Sequence, residues 1–217
     1  MKEDAPFAGA VARPLLMTAT EREAERLRPL PVAVAAFGQI DGALAAMQLM
    51  SEQRPGLALL LGLAGTLCPE ELPIGTVLEA SAFRCFGIGA GAEPDLLGPE
   101  AMGLPEGCHG RLVPAELELA SASLGDSALP RAEFLSVCSA SAGLGQARAR
   151  AARFPQAKVE EMEGFGVARA ARLLGIPFTS VRAVSNVAGE RDPACWDLDR
   201  AFAALSRQLA AFLESCP

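Results

Sequence analysis

Residues 159–186 read VEEMEGFGVARAARLLGIPFTSVRAVSN. Val159 to Met162 is a short extended run, and Gly164 to Leu174 carries a helical pattern. Gly175 and Pro177 stop that helix and open an apolar strand, Phe178 to Val184. Strand, helix and buried strand in this order form the unit from which parallel sheets are built. The same alternation extends upstream. Phe134 to Cys138 reads as a strand and Leu144 to Arg153 as a helix. Val11 to Thr18 reads as a first strand, followed by a short charged helix from Glu21. Val32 to Phe37 is a strand, and Gly38 turns into a helix with Ile40, Leu44 and Met47 on one face. Leu57 to Leu61 is continuously apolar, as a strand covered on both sides should be, with a turn expected at Gly62 to Gly65. Thr76 to Ala82 is a further strand. Gly87 to Pro114, which contains His109, reads as a long loop. At the far end Leu198, Phe202, Leu205, Leu209 and Phe212 mark a last amphipathic helix. The fold expected is α/β: a single domain over residues 1–217 with a central mixed, mostly parallel sheet flanked by helices. Ligands of such sheets bind at the carboxyl ends of the strands.

Composition narrows the function. The chain has 217 residues, 51% of them hydrophobic, enough for one domain with a large core. Its net charge is −7 and its only lysines are Lys2 and Lys158, so no basic patch offers itself to nucleic acid. The six cysteines form no C-x-x-C pair and there is one histidine, so neither a metal site nor a cofactor is expected. Scattered cysteines read as reduced thiols in a cytoplasm. Met1-Lys2-Glu3-Asp4 has no apolar run after it of signal-peptide type, and Leu57 to Leu67 is too short to span a bilayer. A cytoplasmic protein without a membrane partner is expected.

The chemistry concentrates in Glu160, Glu161 and Glu163. Three carboxylates in four residues at a strand end are costly to bury unless they hold something. A carboxylate only accepts hydrogen bonds, and it suits a pair of neighbouring hydroxyls such as a ribose diol. The other reading is a solvated acidic turn at a helix N-terminus, where glutamates are favoured.

Glu161-Met162-Glu163-Gly164, followed after one helix and one strand by Arg182-Ala183-Val184-Ser185-Asn186, resembles the signature of the nucleoside phosphorylase and nucleosidase family. Thr18 to Glu23 resembles the first strand-to-helix turn of its hydrolase branch, Gly38 to Asp41 its second glycine turn, and Gly62-Leu63-Ala64-Gly65 its central one. Phe154-Pro155 before the glutamates fits as well. The resemblance covers nearly the whole chain. It implies a purine nucleoside as the small-molecule substrate and a homo-oligomer as the assembly. It assigns Glu163 to the ribose diol, with Gly62, Ala64, Glu161, Met162 and Phe165 around the substrate. It makes Glu23 the group that aims and deprotonates water, although Glu21 to Glu25 reads equally well as a charged helix face on the residues alone. The adenine-specific members have an aspartate where this chain has Asn186. A neutral amide donates hydrogen bonds to N7 and O6 of a 6-oxopurine. Asn186, with the stretch from Ser185 to Leu198, resembles a menaquinone-pathway branch that releases hypoxanthine from a nucleoside with a benzoate tail. Arg191 is then a candidate for the tail carboxylate and Trp196 for an apolar wall beside it; Arg191 reads equally as a surface charge.

The chain departs from the family in two places. About a dozen residues separate Glu23 from Phe37, too few for the β-hairpin that most relatives have there. The aromatic that adenine-specific members stack on the base is missing from Cys138-Ser139-Ala140-Ser141-Ala142-Gly143, which leaves Phe165 and Phe83 as candidates. Three alternatives remain at this point. They are a methylthioadenosine-type or aminodeoxyfutalosine-type nucleosidase, a purine nucleoside phosphorylase, and a nucleoside-binding module without catalysis. Asn186 argues against the first. A carboxylate at Glu23, where a phosphorylase needs to admit phosphate, argues against the second.

Overall fold

The computed structural model describes residues 14–93, 95–99, 101–103, 118–124 and 129–215. Among the described residues eight strands and five helices follow one another: β1 (Leu15–Thr18), α1 (Glu21–Arg26), β2 (Val32–Val34), α2 (Gln39–Gln53), β3 (Ala58–Thr66), β4 (Val77–Phe86), β5 (Glu118–Ala120), β6 (Arg131–Val137), α3 (Leu144–Arg153), β7 (Ala157–Glu161), α4 (Gly164–Leu174), β8 (Phe178–Val187) and α5 (Leu198–Ser215), with a 3-10 turn at Pro193–Cys195. All strands join one sheet in the order β2-β1-β3-β7-β6-β4-β5, with β8 inserted between β3 and β4. The circuit β3–β7–β6–β4–β8 therefore closes on itself. Pairing is parallel in β1–β2, β1–β3, β3–β8, β4–β6 and β6–β7, and antiparallel in β3–β7, β4–β5 and β4–β8. This is the mixed, mostly parallel sheet expected. α2 and α4 cover one side through a core of Met50, Leu60, Phe83, Phe165 and Val167. α5 covers the other through Leu59, Leu61, Phe202, Leu205 and Leu209.

The six-residue α1 leads straight into β2, which pairs with β1 in parallel, so the chain returns to the sheet with no hairpin between them. Two expectations are corrected. Gly62 to Gly65 does not turn, because β3 runs through it to Thr66, held by β8 on one side and by β7 on the other. These glycines serve close approach. A Cβ on Gly65 would stand 3.2 Å from the Ala188 backbone, and one on Gly62 would strike two site residues. The periodic face of α2 is also reversed: Ile40 and Leu44 are exposed, while Gly42, Ala46 and Met50 face inward. Small residues let α2 lie against α4 so closely that a Cβ on Gly166 would come within 2.2 Å of the Gln39 carbonyl. That contact fixes the start of α2 beside the end of β7. His109 and residues 11–13 of the first expected strand lie outside the described residues.

Candidate active site

The end of β7, the turn after β1 and the middles of β3 and β8 converge on one buried guanidinium. Arg182 sits in the middle of β8, opposite Gly62 of β3, and is 1% exposed. Its Nη2 donates to Glu161 Oε2 at 2.8 Å and to Glu163 Oε2 at 3.0 Å. Its Nη1 donates to the Leu63 carbonyl at 3.4 Å, and its Nε has no partner. Burial works against the guanidinium's charge, but Glu161, Glu163 and Glu23 more than offset it and raise its pKa.

Each carboxylate of the cage is held differently. Glu161 is used entirely by the protein. One oxygen accepts from the backbone N–H groups of Glu163 (2.9 Å) and Gly164 (2.7 Å), which open α4, and the other accepts from Ser136 Oγ. Glu161 thus caps a helix N-terminus, where negative charge is favoured, and seats Arg182. Glu163 is bound at one oxygen by Gly38 N–H (3.1 Å), at the start of α2, and at the other by Arg182. Burial pushes its carboxyl above the usual range, Arg182 pulls it back, and Glu161 pushes it up again. Glu23 forms a capping box at the start of α1: its Oε2 accepts from Thr20 N–H and Thr20 Oγ1, both at 3.0 Å, while Thr20 Oγ1 accepts from Glu23 N–H at 3.2 Å. Its other oxygen faces the cage. A Cβ placed on Gly62 would lie 2.7 Å from Glu23 Oε1 and 2.5 Å from Arg182 Nη1, so only glycine fits between them. The charged turn of α1 is not a solvated face at this residue.

Asn186 enters through a bulge. The β3–β8 register pairs Ala64 with Val184 and then Gly65 with Asn186, leaving Ser185 as the extra residue. Asn186 Nδ2 donates to the Val187 carbonyl at 2.9 Å, and Ser185 Oγ donates to Asn186 Oδ1 at 2.8 Å. A carbonyl only accepts, so the atom facing Val187 must be the amide nitrogen. Its second N–H makes no hydrogen bond among the described residues.

The remaining expected residues fall into two groups. Ala64 and Phe165 are buried in the core, as is Phe83, so neither ring walls an open pocket. Met162 is half-buried against the cluster of Phe86, Leu135, Val137 and Ala157. Arg191 and Trp196 come together outside the cage: the guanidinium lies 5.5 Å from the indole centroid, and Trp196 Nε1 donates to the Glu190 carbonyl at 3.0 Å. Trp196 and Arg26, one turn beyond Glu23 on α1, line the same hollow. The motif contains Arg182 without assigning it a role, yet its signal is in the sequence: an arginine between Val181 and Val184 in an apolar strand must be paired if it is buried.

A closed mixed sheet with this cage at its strand ends defines the class of protein. The Phosphorylase superfamily model matches residues 37–216. Among solved structures, the S-adenosylhomocysteine nucleosidase of Streptococcus pyogenes, in complex with 5-methylthiotubericidin, has a TM-score of 0.75 at 19% identity, covering 97% of this chain and 99% of that one. The futalosine hydrolase of Helicobacter pylori has a TM-score of 0.70 at 17% identity, covering 93% and 97%. At these identities the likeness speaks for the fold alone. In sequence, the futalosine hydrolase of Streptomyces coelicolor is 39% identical over 161 residues, which are 71% of this chain and 65% of that protein, just under two thirds of its length. The futalosine hydrolase of Thermus thermophilus is 31% identical over 179 residues, 82% of this chain and 78% of its own. The chain belongs to the phosphorylase superfamily and, within it, to the futalosine hydrolase family. That is the branch which Ser185 to Leu198 resembles.

Proposed function

We propose that this chain hydrolyses the N-glycosidic bond of futalosine, releasing hypoxanthine and dehypoxanthine futalosine, as a cytoplasmic enzyme of menaquinone biosynthesis. The observation that carries the reading is the presentation of Glu23 Oε1 beside Gly62 and Arg182, with Oε2 tied to the α1 cap. A carboxylate with one oxygen anchored and the other free is suited to aim water and to take its proton. Loosening of the bond to the base gives the sugar oxocarbenium character, and the two carboxylates stabilise that charge across a site they already rim. Glu163 holds the ribose diol, and Met162 packs against the sugar. Asn186 donates a hydrogen bond from its free N–H to the 6-oxopurine, which departs as the anion and takes up a proton from solvent, balancing the one that Glu23 takes from water and later releases. Glu161 acts through Arg182 and the α4 N-terminus, as a positioning group. Arg191 over Trp196 offers a cation for the benzoate tail, and Arg191→Ala raises KM for the full substrate but not for inosine.

The test is hypoxanthine release from futalosine in phosphate-free buffer, with aminodeoxyfutalosine, methylthioadenosine and inosine alongside. Fast release from futalosine alone supports the reading. No release from any of them, or release only when phosphate is added, defeats it.

The enzyme acts as a homo-oligomer in this account. Phe37, Ile40, Leu44 and Met47 form an exposed apolar stripe along α2, starting one residue before the Gly38 amide that binds Glu163. A second copy of the chain is the occupant we assign to it. Light scattering should give a mass above 22.5 kDa for the wild type and the monomer mass for Leu44→Glu.

A further inference from the structure

Glu160 and Glu161 are neighbours on β7, and strand alternation sends them to opposite faces. Glu161 seats Arg182. Glu160 turns away and enters a second buried cluster. Its Oε1 accepts from Ser141 N–H at 2.7 Å, and its Oε2 accepts from Ser141 Oγ at 2.7 Å and from Arg150 Nη1 at 2.6 Å. Arg150, on α3, also donates to the Ser139 carbonyl (3.0 Å) and to Ser141 Oγ (3.2 Å). Its other two nitrogens bind Glu93 in the segment after β4. Glu160, Arg150 and Ser141 are all buried.

The object held by this cluster is the loop of residues 138–143, which follows β6. One end of the loop touches the start of α2, where Gln39 Nε2 donates to Cys138 Sγ at 3.7 Å. The other end abuts the turn after Asn186: a Cβ on Gly189 would lie 2.4 Å from the Gly143 carbonyl. The loop therefore runs from the start of α2, where Gly38 binds Glu163, to the turn three residues past Asn186, the group that the nucleosidase reading puts against the base. It contains no aromatic side chain and no large apolar one, so it offers a base little stacking surface. Its only means of presenting a fixed wall is a fixed backbone.

We propose that Glu160 and Arg150 are positioning residues for purine recognition: their ion pair clamps the loop of residues 138–143 and so sets the wall against which the base of a 6-oxopurine nucleoside lies. The inference rests on the nucleosidase reading above. A fully bonded buried polar network is rigid, and misplacement of a site wall by about 1 Å costs on the order of 10²-fold in rate. Ser139 and Ser141 are the contacts through which the clamp acts.

The test uses Glu160→Leu, which removes the anchor and leaves Arg150 paired with Glu93, and Ser141→Ala, which removes one hydroxyl and preserves the fold if the first variant does not. Measured well below each melting temperature are kcat and KM for futalosine and the Kd for hypoxanthine. The expected result is a rise in KM and a weaker hypoxanthine Kd in the order Ser141→Ala then Glu160→Leu, with kcat falling less than kcat/KM. Glu160→Gln keeps an acceptor for the Ser141 N–H and should recover part of the loss. A purely structural pair lowers the melting temperature and leaves KM and Kd at wild-type values, which overturns the inference while the enzyme remains a nucleosidase. A wild type that neither hydrolyses futalosine nor binds hypoxanthine overturns the functional reading and the inference together.

Discussion

Two buried arginines stand on either side of β7, and they are finished differently. Every guanidinium nitrogen of Arg150 is bonded, to Glu93, Glu160, Ser139 and Ser141. Arg182 sits among three carboxylates with its Nε unbonded. A satisfied network specifies one arrangement of the chain and holds it. An excess of buried negative charge beside an unsatisfied donor is expensive on its own, and native structures keep such features where a ligand completes them. The first cluster holds a loop in place, and the second is where we place the chemistry.

The largest effect expected is on the unbalanced side. Arg182→Met leaves Glu161 and Glu163 buried without their cation and should cost about 3–5 kcal/mol by denaturant titration. Loss of the cation removes the one charge that pulls the Glu163 carboxyl down, so that carboxyl rises further above its usual range. A carboxyl raised in the folded state contributes stability below its unfolded pKa and loses it as pH rises through the folded one. The defect of Arg182→Met should therefore shrink towards acid, and a defect that grows towards acid would contradict the charge account. Next comes Glu23→Gln, which keeps the size of the side chain. It should lower kcat by about 10²–10⁴-fold while hypoxanthine binding stays at the wild-type value, as seen by calorimetry. Gly62→Ala drives a methyl between Glu23 and Arg182, and overpacking of this kind costs about 1–3 kcal/mol in stability. Its melting curve and its kcat should fall together, because the Glu23 oxygen proposed to aim the water is among the atoms displaced. The smallest stability change belongs to Glu163→Gln. Burial already raises the Glu163 carboxyl, so the neutral amide should be as stable as the wild type or slightly more so in alkaline buffer. That advantage should vanish below the raised pKa, and activity should be lost at every pH.

Much of this arrangement can be read from the residues. The alternation of strands and helices around Val159 to Val184 gives the sheet, and the glutamates mark the buried cage at the end of β7. What could not be read has physical causes. Glu160 and Glu161 look alike in the sequence, and only the two-residue period of β7, within a sheet covered on both faces, separates framework from site. Gly62 to Gly65 has the composition of a turn, but glycine serves close approach as readily as it serves bending, and here β7 and β8 hold the strand straight. The apolar stripe of α2 has helical period, and period alone does not say which side faces the core; Gly166 lets α4 touch the start of α2, and Gly42 leaves room for the Glu163 side chain. β5 has three residues, too few to show any period. The Arg150 cluster gathers residues 93, 139, 141, 150 and 160 from four separate segments, and no local pattern announces it.

The central claim is that Glu23 turns this fold to hydrolysis. The most direct measurement is turnover of futalosine in heavy-oxygen water with phosphate present, followed by mass spectrometry of the sugar product, for the wild type and Glu23→Gln. The account predicts heavy oxygen at the anomeric hydroxyl, no sugar 1-phosphate, and almost no product from the variant. Sugar 1-phosphate from the wild type, or near-normal labelled product from Glu23→Gln, would contradict it.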